Sequence, residues 1–205
     1  MKTLILLIVS LILIQFSSFG QGVLICNPNP EYYLCDPPVN CPQTIHLDCG
    51  DDFTVECTYQ RCLKKASGIY YCTFAINSPI ESIPLDCRIY YQGNEHQLFD
   101  AIMDYILLHI PANGPCGSEC LPHRPGCGDN NFYDFYVASC WHWGTVNPDG
   151  CSDLIPCEQP GCCQVFYQLC MDNNGNLYTL PPTHYNVSLC PLNQGKGCFT
   201  ICTDE

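Results

Sequence analysis

Twenty cysteines dominate this sequence, and all of them lie beyond residue 25. In residues 21–205 they make up about one residue in nine, above the share of roughly 8–10% that is typical of a disulfide scaffold in a short secreted chain. Disulfides persist in oxidising compartments and are rare in the cytosol. The even number allows ten bridges, but their connectivity does not follow from the spacing. We therefore expect an extracellular domain that is locked by disulfides and has few free thiols.

Residues 1–20 have the order of a secretory signal peptide. Lys2 supplies a positive start, residues 4–14 are almost entirely apolar, and small residues lead to a cleavage site after Gly20. A membrane-spanning helix needs about 20 mainly apolar residues, and Gln15 ends this run too early. The sequence therefore predicts a secreted protein, either extracellular or in the periplasm or at the cell surface of a bacterium. No membrane span is expected in the mature chain.

The chain is acidic, with seven basic and 20 acidic residues and a formal net charge of −13. Nucleic acids and anionic membrane surfaces carry the same sign of charge, and nucleic-acid-binding proteins present basic patches. The one small basic cluster consists of Arg61, Lys64 and Lys65 and lies beside an expected turn. Nucleic acid is thus excluded as a partner, which leaves extracellular proteins or glycans. We expect no cofactor.

The pattern of the mature chain predicts an α+β fold, a small disulfide-rich domain with antiparallel β-hairpins and one packed amphipathic helix. Residues 21–43 are rich in Pro and Cys and are expected to form an extended lead-in, because proline lacks an amide donor and fixes φ. Residues 44–205 then form a single domain. Within it, residues 44–91 have strand character, with a loop at residues 64–68.

The predicted helix covers residues 94–110. Its apolar positions recur at helical spacing and are Leu98, Phe99, Ile102, Met103, Tyr105, Ile106, Leu107 and Ile110. Asn94 and Gln97 have the spacing of a capping box, and Pro111 follows the last apolar position. An apolar face of this size must be covered, and the strands are the available surface.

A second hairpin is predicted from residue 164 to residue 180. Two strand-like runs flank Asn173-Asn174-Gly175, and Asn-Gly between such runs is a strong hairpin signal. Two further segments, residues 132–143 and 198–202, also have strand character. Adjacent Cys162 and Cys163 are expected to bridge in two directions, because successive side chains on a strand point to opposite faces.

A weak internal duplication is a further prediction. Residues 59–62 and residues 167–170 share the pattern Tyr-Gln-x-Cys, and a glycine and a tyrosine follow at similar distances in both. The duplicated units would be residues 49–91 and 157–203. The alternative is coincidence among abundant Tyr, Gln and Cys, because one recurrence is little evidence for a repeat.

The second half of the chain resembles uncharacterised cysteine-rich secreted proteins of Bacteroidetes-type bacteria. The residues that carry the resemblance are the helix, then Val137-Ala138-Ser139-Cys140-Trp141 with Trp143, then Cys162-Cys163, Tyr167-Gln168-Leu169-Cys170 and Asn174-Gly175. The resemblance covers roughly residues 95–203, and its motifs are structural. It implies a bacterial exported protein and carries no activity.

One spacing is compatible with a metal site. Cys116, Cys120, His123 and Cys127 lie within twelve residues, and three cysteines with one histidine can hold zinc in a tetrahedral site. Zinc requires thiolates, whereas export favours oxidation of the same cysteines. We therefore favour disulfides at these positions.

Aromatic residues supply the candidate binding site. Trp141 and Trp143 would share one face of a strand, with Tyr133 and Tyr136 shortly before them. If exposed, the two indoles would form a platform for a sugar or an aromatic partner; if buried, they are part of the core. The core is the favoured alternative, because these are the only two tryptophans and large aromatic side chains dominate cores.

No catalytic residue is assigned. The sequence has no Gly-x-Ser-x-Gly elbow, its histidines are scattered, and no cysteine stands apart from the disulfide set. The leading hypothesis is a secreted, disulfide-stabilised structural or interaction protein without enzymatic activity. The alternatives are a carbohydrate-binding or surface-binding module that uses the aromatic strand, and an extracellular hydrolase with paired carboxylates.

Overall fold

The computed structural model describes residues 26–128, 131–157, 161–188 and 197–202. The predicted signal peptide, residues 1–20, lies outside these ranges. In the described part, none of the helices is both long and apolar enough to span a lipid bilayer.

The described residues are mostly in β-strands. In chain order the strands are β1 (Tyr33–Cys35), β2 (Val39–Asn40), β3 (Gln43–Ile45), β4 (Phe53–Val55), β5 (Thr58–Lys64), β6 (Ile69–Ile76), β7 (Ile80–Pro84), β8 (Phe132–Ala138), β9 (Cys140–Trp143), β10 (Cys151–Pro156), β11 (Cys162–Met171), β12 (Leu177–Thr179), β13 (Thr183–Ser188) and β14 (Phe199–Thr200). The helices are α1 (Leu85–Tyr90), α2 (Glu95–Leu108) and the 3₁₀ helix Ser118–Cys120. This composition partly fits the expected α+β class.

An eight-stranded sheet, the main sheet, organises the domain. Its order is β1-β5-β6-β8-β11-β12, with β2 also pairing with β5 and β13 with β11. The pairing of β6 with β8 is parallel, while the other pairs of the main sheet are antiparallel. A parallel pair needs a long crossover connection, and here that connection contains both α-helices. A second sheet has the order β14-β9-β10-β7, and β3 pairs with β4.

Helix α2 covers one face of the main sheet. Its buried side chains are Leu98, Phe99, Ile102, Met103, Ile106 and Leu107. Polar contacts also tie the helix to the strands: the Tyr167 hydroxyl donates to the Asp100 carbonyl over 3.5 Å, and the Thr179 hydroxyl donates to the Asp104 carboxylate over 2.9 Å. Under the helix the ring of Phe74 stacks on that of Phe135, with centroids 5.2 Å apart.

Three local expectations need correction. The structure has two α-helices in its described part where one was expected, and α1 lies in a segment for which strands were expected. Helix α1 has Asp86 in its first turn and Arg88 in its last turn, and both charges interact favourably with the helix dipole. The capping box at α2 does not form, because Asn94 makes no side-chain cap bond and the amide of Gly93 donates to the Glu95 carboxylate instead.

Eight disulfides join the described cysteines. They are Cys26–Cys162, Cys35–Cys62, Cys41–Cys116, Cys49–Cys87, Cys72–Cys120, Cys127–Cys170, Cys157–Cys198 and Cys163–Cys202. The first three attach the expected lead-in to the rest of the domain, and β1 and β2 make it part of the main sheet. The two-direction bridging of Cys162 and Cys163 is confirmed.

The duplication of residues 49–91 and 157–203 stays a prediction. Cys62 and Cys170, which the two patterns align, each lie on a long strand of the main sheet and bond to a neighbouring segment through Cys35 and Cys127. Part of the second unit lies outside the described residues.

The even number of cysteines allowed complete pairing, but the structure contains free cysteines. Among the described cysteines, Cys57 and Cys151 are free. Cys57 is buried, and its thiol donates to the Cys41 carbonyl over 2.6 Å. Burial, with a smaller effect of the Glu56 charge, raises the pKa of the Cys57 thiol to about 12. Its thiolate is therefore scarce near neutral pH.

These two thiols should differ in reactivity. We expect iodoacetamide to label Cys151 in the native protein, because that side chain is partly exposed. Cys57 should react only after unfolding, because it is buried and its thiolate is scarce. Peptide mapping after labelling with and without denaturant measures both, and a Cys57–Cys151 bridge in the native protein would contradict the structure.

Candidate functional site

The tryptophan platform considered in the sequence analysis does not form. Trp141 is fully buried, its indole N–H donates to the Ala138 carbonyl over 2.6 Å, and its ring lies 4.9 Å from that of Phe99. Trp143 is half-buried, packs against the core, and has the guanidinium of Arg88 5.2 Å from its ring centroid. Strand β9 presents these indoles to the core that α2 covers, so they stabilise the fold.

The two candidate tyrosines separate onto opposite faces of β8. Tyr133 is fully buried on the α2 side, where its hydroxyl donates to the Gly117 carbonyl over 3.3 Å. Tyr136 lies three positions later, and an odd spacing on a strand places it on the other face. There it packs with Ala75 and Cys26 in a second, smaller core.

The three cysteines considered as zinc ligands form disulfides instead. Cys116, Cys120 and Cys127 are bonded to three different cysteines, and His123 is exposed. Disulfide sulfurs are no longer thiolates and so lack the charge that zinc binds. In the described ranges no group of three or more His, Cys, Asp or Glu side chains is arranged for a metal ion.

The face of the main sheet opposite α2 has an aromatic cluster. We call it the aromatic face and define it as Tyr33, Tyr71, Phe132 and Phe166, four half-buried side chains from β1, β6, β8 and β11. The ring centroids of Tyr71 and Phe132 are 5.9 Å apart and stacked, those of Phe132 and Phe166 are 5.2 Å apart, and Tyr33 meets Tyr71 edge-on at 6.3 Å. Strands β1, β6, β8 and β11 thus bring half-buried rings together on one face of the main sheet, with β5 lying between β1 and β6.

A buried carboxylate lies beneath this cluster. Asp134 is 1% exposed, and its Oδ1 atom has no hydrogen-bond partner among the described residues. It is paired in register with Thr73 on β6, whose hydroxyl is also buried without a partner in the described part. A buried polar group without a partner costs free energy, and each such case in a native protein requires an explanation.

Burial raises the pKa of the Asp134 carboxyl to about 6, while the Gln164 amide and the Lys64 ammonium oppose the shift. The Asp134 charge in turn contributes to raising the pKa values of Tyr33, Tyr71 and Tyr136, although burial is the larger cause in each case. These groups, from β1, β5, β6, β8 and β11, surround the carboxylate. A strongly shifted group beside a groove is a recognised mark of a functional site.

A groove of about 660 Å³, which we call the tyrosine groove, is lined in part by Lys64, Tyr136 and Gln164, which interact with Asp134. Its walls are Asn27, Asn29, Glu31, Tyr32, Tyr33, Lys64, Lys65, Ala66, Tyr136 and Gln164. The Lys65 ammonium donates to the Pro30 carbonyl over 2.8 Å, which joins the N-terminal segment to the β5–β6 turn. Disulfides at Cys26 and Cys35 hold both ends of that segment, so the groove is preformed.

The paired carboxylates that a hydrolase would need are engaged elsewhere. Asp100 and Asp104 lie one turn apart on α2, where Asp100 contacts His184 at 3.0 Å and Asp104 accepts from Thr179. Burial raises the pKa of Asp104, the Thr179 hydroxyl opposes this, and the Asp100 charge adds to it. Both carboxylates connect the helix to the main sheet, which is a structural role.

Comparison of the chain with family models, with curated proteins and with solved structures yields no match. The geometry of the aromatic face and the grooves is therefore the basis for inferring a function.

The raised pKa of Asp134 predicts a specific dependence of stability on pH. Its folded pKa of about 6 exceeds its ordinary value of 3.8, so the protonated form favours the folded state. This contribution is complete below pH 3.8 and is lost as the pH rises through 6. A shift of this size corresponds to a loss on the order of 3 kcal/mol.

The variant Asp134→Asn should lack this loss. We expect the difference in free energy of unfolding between wild type and D134N to change by about 2–3 kcal/mol between pH 4 and pH 8, in favour of the variant at high pH. Urea denaturation across this range measures it. Parallel curves for the two proteins would show that the Asp134 carboxyl has an ordinary pKa.

Proposed function

We propose that this protein is a secreted, disulfide-stabilised binding protein that holds carbohydrate on the aromatic face and in the adjoining tyrosine groove. The observation that carries the proposal is the cluster of four half-buried rings on one face of the sheet, next to a preformed groove. It develops the hypothesis of an interaction protein by giving the site and the class of ligand.

The chemistry of the site suits a sugar. Aromatic faces stack against the apolar C–H faces of sugar rings, while ligand sites in general combine apolar walls with a few placed polar groups. Polar groups on the groove wall include Lys64, Gln164 and Glu31. They provide a positively charged hydrogen-bond donor, a neutral amide and a carboxylate acceptor, which together can bind several hydroxyl groups.

A binding role accounts for the site better than hydrolysis does. Glycoside hydrolysis generally uses two carboxyl groups that face the scissile bond. The groove wall has a single carboxylate, Glu31, and Asp134 lies beneath the rings at 1% exposure. Asp134 then acts as a support for Tyr33, Tyr136 and Gln164 and has no direct contact with the ligand.

Secretion and a bacterial origin are parts of the same proposal. Eight disulfides among the described residues are compatible with an oxidising compartment, and the signal-peptide pattern of residues 1–20 supplies the route. The resemblance to cysteine-rich secreted proteins of Bacteroidetes-type bacteria would place the protein outside the cytoplasm of such a cell.

Removal of one ring tests the aromatic face. We expect wild-type protein to bind at least one neutral oligosaccharide on a glycan array, and Tyr71→Ala to weaken that binding about three- to tenfold, the size of a single aromatic contact. Isothermal titration calorimetry with the selected oligosaccharide measures the change.

Tyr90→Ala is the matched control for this experiment. Tyr90 is 73% exposed on α1 and lies outside both the aromatic face and the tyrosine groove, so its removal should leave the affinity unchanged. Thermal melts of both variants check the fold. Equal losses in the two variants, or no binding by the wild type, would refute the proposed site.

A further inference from the structure

A second and larger groove lies at the other face of the β5–β6 hairpin. Its volume is about 940 Å³, and its walls are Arg61, Gly68, Ile69, Tyr70, Glu119, Cys120, Leu121, His123, Arg124, Pro125, Gly126, Cys127, Gly128 and Asn131. We call it the arginine groove. By alternation along the strands, Arg61 and Tyr70 project from the opposite face to Lys64 and Tyr71. It is therefore distinct from the tyrosine groove.

The guanidinium of Arg61 is held in place but is not neutralised. Its central carbon lies 3.9 Å from the ring centroid of Tyr70, which fixes the plane of the group. Its Nε atom is buried and has no hydrogen-bond partner among the described residues. The buried Nε cannot reach a ligand, but the terminal nitrogens of a guanidinium that is oriented and takes part in no described ion pair suit a bidentate oxyanion.

Arg124 also has no acidic partner among the described residues, although the chain has 20 acidic residues. In the described part of the chain the ion pairs are His46–Asp52 and His184–Asp100, and neither arginine of the groove takes part. Arg88 differs, because it donates to the Ser152 hydroxyl at 3.0 Å and the Gly144 carbonyl at 3.2 Å. Two unpaired arginines in one groove of an acidic protein are available for a ligand.

The local charge of the groove is favourable to an anion. Glu119 is the one carboxylate on its described wall, and the Tyr59 hydroxyl donates to it. The other acidic residues of the described part of the chain do not line this wall, and charges farther away than the Debye length, about 8 Å at physiological ionic strength, are largely screened. The described wall therefore has two guanidinium groups against one carboxylate.

Disulfides make the groove rigid. The loop that forms its far wall is bonded at Cys120 to Cys72 on β6 and at Cys127 to Cys170 on β11. Arg124 lies between these two attachment points. A ligand thus meets a preorganised wall, which lowers the entropy lost on binding.

We propose that the arginine groove binds the oxyanion of an acidic oligosaccharide, a carboxylate or a sulfate carried on a sugar ring. Arg61 and Arg124 hold the oxyanion. Tyr70, which is 44% exposed, contacts the sugar ring, and His123 and Asn131 supply further hydrogen-bonding groups. A sugar is favoured over an acidic peptide because the exposed ring of Tyr70 offers a flat face on which a sugar ring can stack, next to polar groups that can bind its hydroxyls.

Titration with defined acidic sugars tests the groove. The probes are a tetramer of galacturonic acid, a heparin-derived tetramer, an uncharged glucose tetramer and hexaglutamate. We expect one or both acidic sugars to bind, and Arg61→Gln and Arg124→Gln each to weaken binding about tenfold or more, the size of a lost charge-assisted hydrogen bond. Arg61→Lys should recover part of the affinity, because it keeps the charge and loses the planar fork.

Arg88→Gln is the charge-matched control, since Arg88 lies outside the groove. It should retain wild-type affinity, with thermal melts confirming that each variant is folded. Binding of the galacturonate tetramer alone would identify a carboxylate as the oxyanion, and binding of the heparin-derived tetramer alone would identify a sulfate. Either result supports the proposal. Tighter binding of hexaglutamate, or no binding of either acidic sugar, would overturn it.

Tyr71→Ala separates this site from the aromatic face. It should leave the affinity for the acidic sugar unchanged while it weakens binding of the neutral oligosaccharide. An equal loss of acidic-sugar binding in Tyr71→Ala and Arg124→Gln would contradict the existence of a separate site in the arginine groove.

Discussion

Disulfide bonds connect the irregular segments of this chain to its sheets, and the positions of both grooves depend on them. The Cys26–Cys162 bridge spans 136 residues and joins the N-terminal segment to β11. In the chain-entropy model a loop of this length corresponds to about 5 kcal/mol for an isolated bridge, against a net stability of about 5–15 kcal/mol for a typical domain. The contributions of the bridges are not additive, but the stabilisation from a few of them is comparable with the whole net stability of a domain. The core between α2 and the main sheet is buried, whereas disulfides attach residues 26–42 and 111–128 to the rest of the domain.

Three buried polar atoms of the main sheet have no hydrogen-bond partner among the described residues. They are the Asp134 Oδ1 atom, the Thr73 hydroxyl and the Arg61 Nε atom. All three lie on the β5, β6 and β8 strands that border the two grooves. We take this concentration as a sign that these strands form the functional part of the molecule.

Sequence patterns anticipated several of the strands, the segment that forms α2 and the extensive disulfide bonding, because these follow from periodicity and composition. The site was harder to derive. The candidate aromatic site combines Tyr133 with Tyr136. A spacing of three residues on a strand places them on opposite faces, and this signal is present in the sequence. The aromatic face combines residues from four strands, and the parallel pairing of β6 with β8 that brings Tyr71 to Phe132 has no local signal. Arg124 joins Arg61 only through the bridges at Cys120 and Cys127, whose connectivity the spacing does not determine.

Complete reduction is the most direct test of the central role of the disulfides. Near-ultraviolet circular dichroism of the aromatic core, followed during a thermal melt with and without a strong reductant, reports whether the fold survives, and thiol counting establishes that reduction is complete. We expect the fully reduced chain to show no near-ultraviolet signal at room temperature and no cooperative transition during the melt. A fully reduced protein that keeps both would contradict this expectation, because apolar packing alone would then be sufficient to hold the fold.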